Sequence, residues 1–99
     1  MCGIAGVYNR DGRALPLAVL RHMIRLQRHR GPDDQGFRRF TLQGARPTSV
    51  ELGPKERGGT PFEGGLGFCR LSILDVSPSG HQPMCSQAGT ILLVFSGEI

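Results

Sequence analysis

Apolar positions along the chain change their spacing several times, and each change marks a predicted element. Residues 3–8, through Ile4-Ala5-Gly6-Val7-Tyr8, read as a strand. Asn9-Arg10-Asp11-Gly12 is a turn, with Asp-Gly supplying the backbone freedom it needs. Pro16 sits near the first turn of a helix, where its missing N–H costs little. From Leu17 to about His29, Val19, Leu20, Met23, Ile24 and Leu26 recur at three- and four-residue spacing, and the arginines fall mainly on the other face. This predicts an amphipathic helix packed on a sheet. Gly31-Pro32 ends it.

Residues 36–42 and 65–71 read as further strands. Between them, 44–64 carries Pro47, Pro54, Pro61 and several glycines, and reads as an irregular surface loop. Loops of that length are uncommon inside compact domains, so an insertion, a lid or a hairpin extension is expected. Ser77-Pro78-Ser79-Gly80 and Gln87-Ala88-Gly89 read as turns. Residues 90–95 are apolar almost throughout, as in a strand covered on both faces. The sequence stops four residues after that run, which suggests a fragment of a longer protein. Strands around one amphipathic helix make the expected class α+β.

Composition narrows the classes. Ninety-nine residues with 15 glycines and no tryptophan suit one small, turn-rich domain. The net charge of +4 is almost all arginine, Lys55 being the only lysine. Arg21, Arg25, Arg28 and Arg30 with His22 and His29, then Arg38 and Arg39, form the basic cluster. A solvated helix face accounts for most of it, so no nucleic-acid partner is expected. An arginine-rich module for nucleic acid or an acidic partner stays as the non-enzymatic alternative. Cys2, Cys69 and Cys85 are odd in number and lack CxxC spacing, which argues against both a disulfide framework and a metal site. Neither a signal peptide nor a run long enough to cross a bilayer is present, and a reducing cytoplasm fits best.

The chemistry starts at Met1-Cys2-Gly3. If Met1 is removed, Cys2 carries both a thiol and a free α-amine. Such an amine is basic enough near neutral pH to take the thiol proton, directly or through one water. The alternative is a start codon followed by an ordinary buried cysteine.

Four motifs in order favour the nucleophile. Met1-Cys2-Gly3-Ile4, RHRGPDDQG at 28–36, RLSILDVSPSGHQP at 70–83 and GEI at 97–99 resemble the glutamine amidotransferase domain of asparagine synthetases. These are class II amidotransferases within the N-terminal-nucleophile hydrolases. The resemblance implies a four-layer αββα sandwich, of which residues 1–99 form only the first part. It implies that Cys2 attacks the glutamine side-chain amide and that Arg70 grips the α-carboxylate. Leu71, Ser72, Ile73 and Leu74 would line the pocket with main-chain hydrogen bonds. Glu98 would pair with the substrate ammonium, and the Gly97 N–H would donate to the oxyanion. Taken singly, Arg70 reads as a surface ion pair and Glu98 as a strand-end charge.

Ser96 departs from the family, which has asparagine there as second oxyanion donor. Loss of such a donor costs on the order of 10²–10³ in rate. A glutaminase-impaired, ammonia-dependent or secondary-metabolite synthetase is therefore the enzymatic alternative. Cys69, also unlike the family's usual residue, is expected to be a small buried hydrophobe. The resemblance assigns no cofactor to these residues. It places ATP and Mg in a C-terminal synthetase domain in cis, leaves room for a homodimeric parent, and implies that residues 1–99 alone are not an active enzyme.

Overall fold

The computed structural model of the chain describes residues 2–44, 48–52, 62–71 and 81–96. Among them, β1 (Gly3–Tyr8) is followed by α1 (Leu17–Leu26) and a 3₁₀ turn (Arg28–Arg30). Then come β2 (Asp34–Thr41), β3 (Thr48–Leu52), β4 (Gly64–Arg70), β5 (Met84–Cys85) and β6 (Leu92–Leu93). Strands β1-β4-β2-β3 form one antiparallel sheet in that order, and β5-β6 form a short antiparallel ribbon. The class is α+β, as expected.

Strand alternation gives the large sheet two unlike faces. On one, Ala5, Phe37 and Cys69 meet Leu17, Leu20 and Ile24 of α1 in a single buried cluster. Gly65 and Gly67 alternate with Cys69 on β4, so Leu15, Leu20 and Ile24 approach the sheet closely. Cys69 is fully buried, as expected of it. The helical stripe is narrower than predicted. Val19 and Leu26 are exposed, because at about 100° per residue they lie on the far side from Leu17, Leu20 and Ile24. Pro16 is the N-cap residue, in extended conformation. The helix ends at Leu26, three residues early, and the 3₁₀ turn carries the chain to Gly31.

The other face carries Phe68 and Leu66 of β4 with Gly36, Arg38 and Phe40 of β2, and segment 81–96 lies over it. A Cβ on Gly36 would overlap the Gln82 carbonyl oxygen at 1.7 Å, so only glycine lets that segment seat there. Phe40, Leu42 and Leu66 share a groove of about 210 Å³ with Thr90 and Leu92. Tyr8 stacks on Phe40 with ring centroids 6.1 Å apart.

Two sequence expectations need correction. The stretch 44–64 is not irregular throughout: Thr48–Leu52 pairs with β2 from Phe37 to Thr41, which makes it a hairpin extension at the sheet edge. Residues 45–47 and 53–61 lie outside the described residues. Nor is 90–95 a strand covered on both faces. Only Leu92–Leu93 is strand, and Ile91, Leu93 and Phe95 are 64%, 51% and 37% exposed. Their alternation explains this: Leu92 turns toward the large sheet, and its neighbours turn away. The four-layer sandwich goes beyond these elements.

Candidate functional site

Cys2 leads directly into β1, whose start is held from three sides. The Gln27 side-chain amide, just past α1, donates to the Ile4 carbonyl at 3.0 Å. The Cys69 thiol donates to the Gln27 carbonyl at 3.4 Å. Gly3 fits between Cys69 and Gln27, where a Cβ would come within 2.7 Å of both side chains. The cysteine is therefore presented by a fixed strand end rather than by a free tail.

The Cys2 sulfur lies against the end of β4. The Leu71 N–H donates to Sγ at 3.5 Å, and the thiol faces the Leu71 carbonyl at 3.9 Å. Register extends the site sideways. Gly3 pairs with Cys69, so alternation sets Cys2 on the same face as Arg70, and Asp34 pairs directly with Arg70. Cys2, Arg70 and Asp34 thus form the end row of the face opposite α1. Arg70 is 8% exposed despite its charge.

The RGPD loop fixes Arg70 from below. Asp33 N–H donates to the Arg70 carbonyl at 2.9 Å, and Pro32 bridges to Arg70 beside it. A Cβ on Gly31 would meet the backbone of Cys69 and Arg70 at 2.5–2.6 Å. The loop that spacing alone reads as a helix stop is therefore a brace for the strand end carrying Arg70.

Ser96 also reaches the site. Its hydroxyl donates to the Cys2 carbonyl at 3.0 Å. A serine hydroxyl has one proton to give, so in this arrangement it orients Cys2 and does not point toward an oxyanion. Ser72, Ile73, Leu74, Gly97 and Glu98 lie outside the described residues, as does Met1. Of the predicted set, the structure brings Cys2, Leu71, Arg70 and Ser96 together.

Asp34, His81 and Gln82 fall inside the sequence motifs, which assign them no role. His81 Nδ1 contacts Asp34 Oδ2 at 2.5 Å and its Nε2 contacts Glu51 Oε1 at 2.9 Å. The hydrogen bond to Asp34, more than any other influence, raises the His81 pKa above its usual 6.5. Gln82 Oε1 accepts from the Phe95 N–H at 2.6 Å. These contacts span 47, 30 and 13 residues of sequence, and no local pattern signals them.

The arginines do not make one surface. Arg39 is 5% exposed and donates to the Leu15 carbonyl at 3.0 Å, while Arg38 donates to Ser49 Oγ at 2.9 Å. Arg21, Arg25 and Arg28 line a separate groove of about 490 Å³ with Pro32, Asp34, Gln35 and Phe37. Among the described residues no cluster of three or more His, Cys, Asp or Glu could hold a metal ion, and no helix is long and apolar enough to cross a membrane.

Residues 51–99 match the glutamine amidotransferase domain family, which includes the β4 end, Arg70 and Ser96. The chain belongs to this family. Over its whole length the amidotransferase chain is 34% identical to a Methanocaldococcus jannaschii protein provisionally named glutamine-hydrolysing asparagine synthetase 2, of which it covers 18%. It is 32% identical to glutamine-hydrolysing asparagine synthetase 1 of Bacillus subtilis, covering 13% of that protein. Amidase chyE of Penicillium rubens is 30% identical over the whole chain, which spans 13% of it. The chain therefore spans less than a fifth of the length of these relatives. No solved structure matches it.

Proposed function

We propose that the chain is the N-terminal part, residues 1–99, of the glutaminase domain of a glutamine-hydrolysing asparagine synthetase. The observation that carries this is the end row of the sheet: the Cys2 sulfur on the Leu71 backbone, in line with a buried Arg70. Two of the relatives above bear the name of that enzyme.

In this reading Met1 is removed and the Cys2 α-amine takes the thiol proton. The thiolate attacks the side-chain amide carbon of glutamine, forming the C–S bond and a tetrahedral oxyanion. The amine returns its proton to the departing nitrogen, the C–N bond breaks and ammonia leaves. Water then hydrolyses the γ-glutamyl thioester, releasing glutamate and the thiol. Arg70 supplies the planar fork that a carboxylate accepts in bidentate fashion. Leu71 to Leu74 line the pocket, the Gly97 N–H faces the oxyanion, and Glu98 meets the substrate ammonium. The remainder of the domain completes a four-layer αββα sandwich. A synthetase domain in cis uses ATP and Mg to activate aspartate for the ammonia; no residue of this chain is assigned to them. A cytoplasmic location and a homodimeric parent belong to the same proposal.

One observation favours a second reading. Ser96 stands where the family carries an asparagine amide, and its proton already serves the Cys2 carbonyl. A parent weak in glutaminase and fed by free ammonia accommodates that, and an amidase among the relatives shows that the sequence type is not confined to asparagine synthetases. Assaying the full-length protein with aspartate and ATP separates the two. Glutamine-dependent asparagine formation with stoichiometric glutamate supports the first reading. Formation with ammonium alone retires it in favour of the second.

A further inference from the structure

Segment 81–96 connects the large sheet to Cys2 through a chain of contacts that the chemistry above does not use. Both ring nitrogens of His81 face carboxylate oxygens, Asp34 on β2 and Glu51 on β3. Carboxylates only accept, so both nitrogens must donate, and the ring is an imidazolium. The next residue, Gln82, sets its carbonyl over Gly36. The Gln82 side chain holds the Phe95 N–H, and the adjoining Ser96 holds the Cys2 carbonyl.

We propose that His81 is a positioning residue for the nucleophile: by bridging Asp34 and Glu51 it seats Gln82, which fixes Phe95–Ser96 against the backbone of Cys2. Its bearing on catalysis rests on the glutaminase reading above, but the positioning itself does not. Among the described residues, the charged groups around the ring belong to the sheet. Asp34 and Glu51 touch it, Arg38 Nη1 lies 3.9 Å from Glu51 Oε2, and Arg70 is the cross-strand neighbour of Asp34. The Asp34 hydrogen bond, with the charge of Asp34 and the contact to Glu51, outweighs the desolvation of the ring, and its folded pKa is raised. The sign follows. A raised folded pKa means the clamp is fully present below the unfolded value, 6.5, and is lost as pH rises through the folded one.

Hydrogen–deuterium exchange on the full-length protein tests this, reported as protection factors so that intrinsic exchange chemistry cancels, with glutamine turnover measured in parallel. In the wild type, protection of the Phe95 amide should fall roughly tenfold or more as pH rises from about 6 to 8.5, while α1 core amides stay protected. His81→Ala should lose that protection at both pH values and lower kcat for glutamine more than it raises KM. His81→Asn keeps a neutral donor near the Nδ1 position. It should retain part of the protection and show no pH-dependent fall. Gln82→Ala, which leaves the imidazolium untouched, should release Phe95 in the same way.

Wild-type protection at Phe95 in both His81→Ala and Gln82→Ala overturns the proposal, whatever the activity. If Phe95 behaves as described but the wild type does not hydrolyse glutamine, the glutaminase reading fails and the positioning role stands.

Discussion

The face of the large sheet against α1 and the end row of the opposite face are held by different forces. Against α1, Leu17, Leu20, Ile24, Ala5, Phe37 and Cys69 exclude water from one another. On the opposite face, the end row of Cys2, Arg70 and Asp34 is fixed mainly by directed contacts: Leu71 N–H on the sulfur, Asp33 N–H on the Arg70 carbonyl, Ser96 on the Cys2 carbonyl, and His81 on Asp34. Apolar burial is non-directional and tolerates small shifts of an element. Hydrogen bonds fix distance and angle. The sulfur proposed to react needs the second kind of control, and β1 and β4 serve both faces because their residues alternate.

The sharpest way to break this division is to remove the proposed nucleophile. Cys2→Ala in the full-length protein should lower glutamine-dependent turnover by about 10³-fold or more while leaving ammonium-dependent turnover and the thermal midpoint nearly unchanged. An equal loss with both nitrogen sources would place Cys2 in the structural class. The converse change is Ile24→Ala, fully buried on α1. It should cost about 2–5 kcal/mol in denaturant unfolding and leave KM for glutamine unchanged wherever the protein remains folded.

Smaller effects sharpen the boundary. Arg70→Lys keeps the charge but loses the fork, so kcat/KM for glutamine should fall by roughly 10–100-fold, through KM. Gly31→Ala lies between the classes, because its methyl would push on the backbone of Cys69 and Arg70. A loss of about 1–3 kcal/mol in stability is expected together with a raised KM for glutamine. Destabilisation without any change in KM would remove the RGPD loop from the site.

How far the sequence revealed these two faces follows from the same division. The α1 face was legible because burial leaves a local period: Leu20 and Ile24 stand out at four-residue spacing, and Pro16 and Gly31 bracket the turn region. Even there, Val19 and Leu26 fall outside the stripe, because at about 100° per residue they lie on the far side of the helix from Leu20 and Ile24. The β3 strand was missed because Thr48–Leu52 is a short, largely exposed edge that the prolines around it disguise. At the site, Cys2, Arg70 and Ser96 were found through motif resemblance, and their assembly in one place follows from the β1–β4 register. Asp34, Glu51 and His81 were invisible as a group. An imidazole between two carboxylates from different strands depends on tertiary pairing, which no local spacing encodes.

The central claim is that Cys2 is the glutamine-reactive atom of this sheet end, and covalent labelling tests it most directly. Full-length protein treated with the glutamine mimic 6-diazo-5-oxo-norleucine should carry one adduct, on the sulfur of an N-terminal cysteine lacking Met1, and excess glutamine should slow its formation. A retained Met1, or an unlabelled Cys2 in protein that is otherwise folded, would contradict the account.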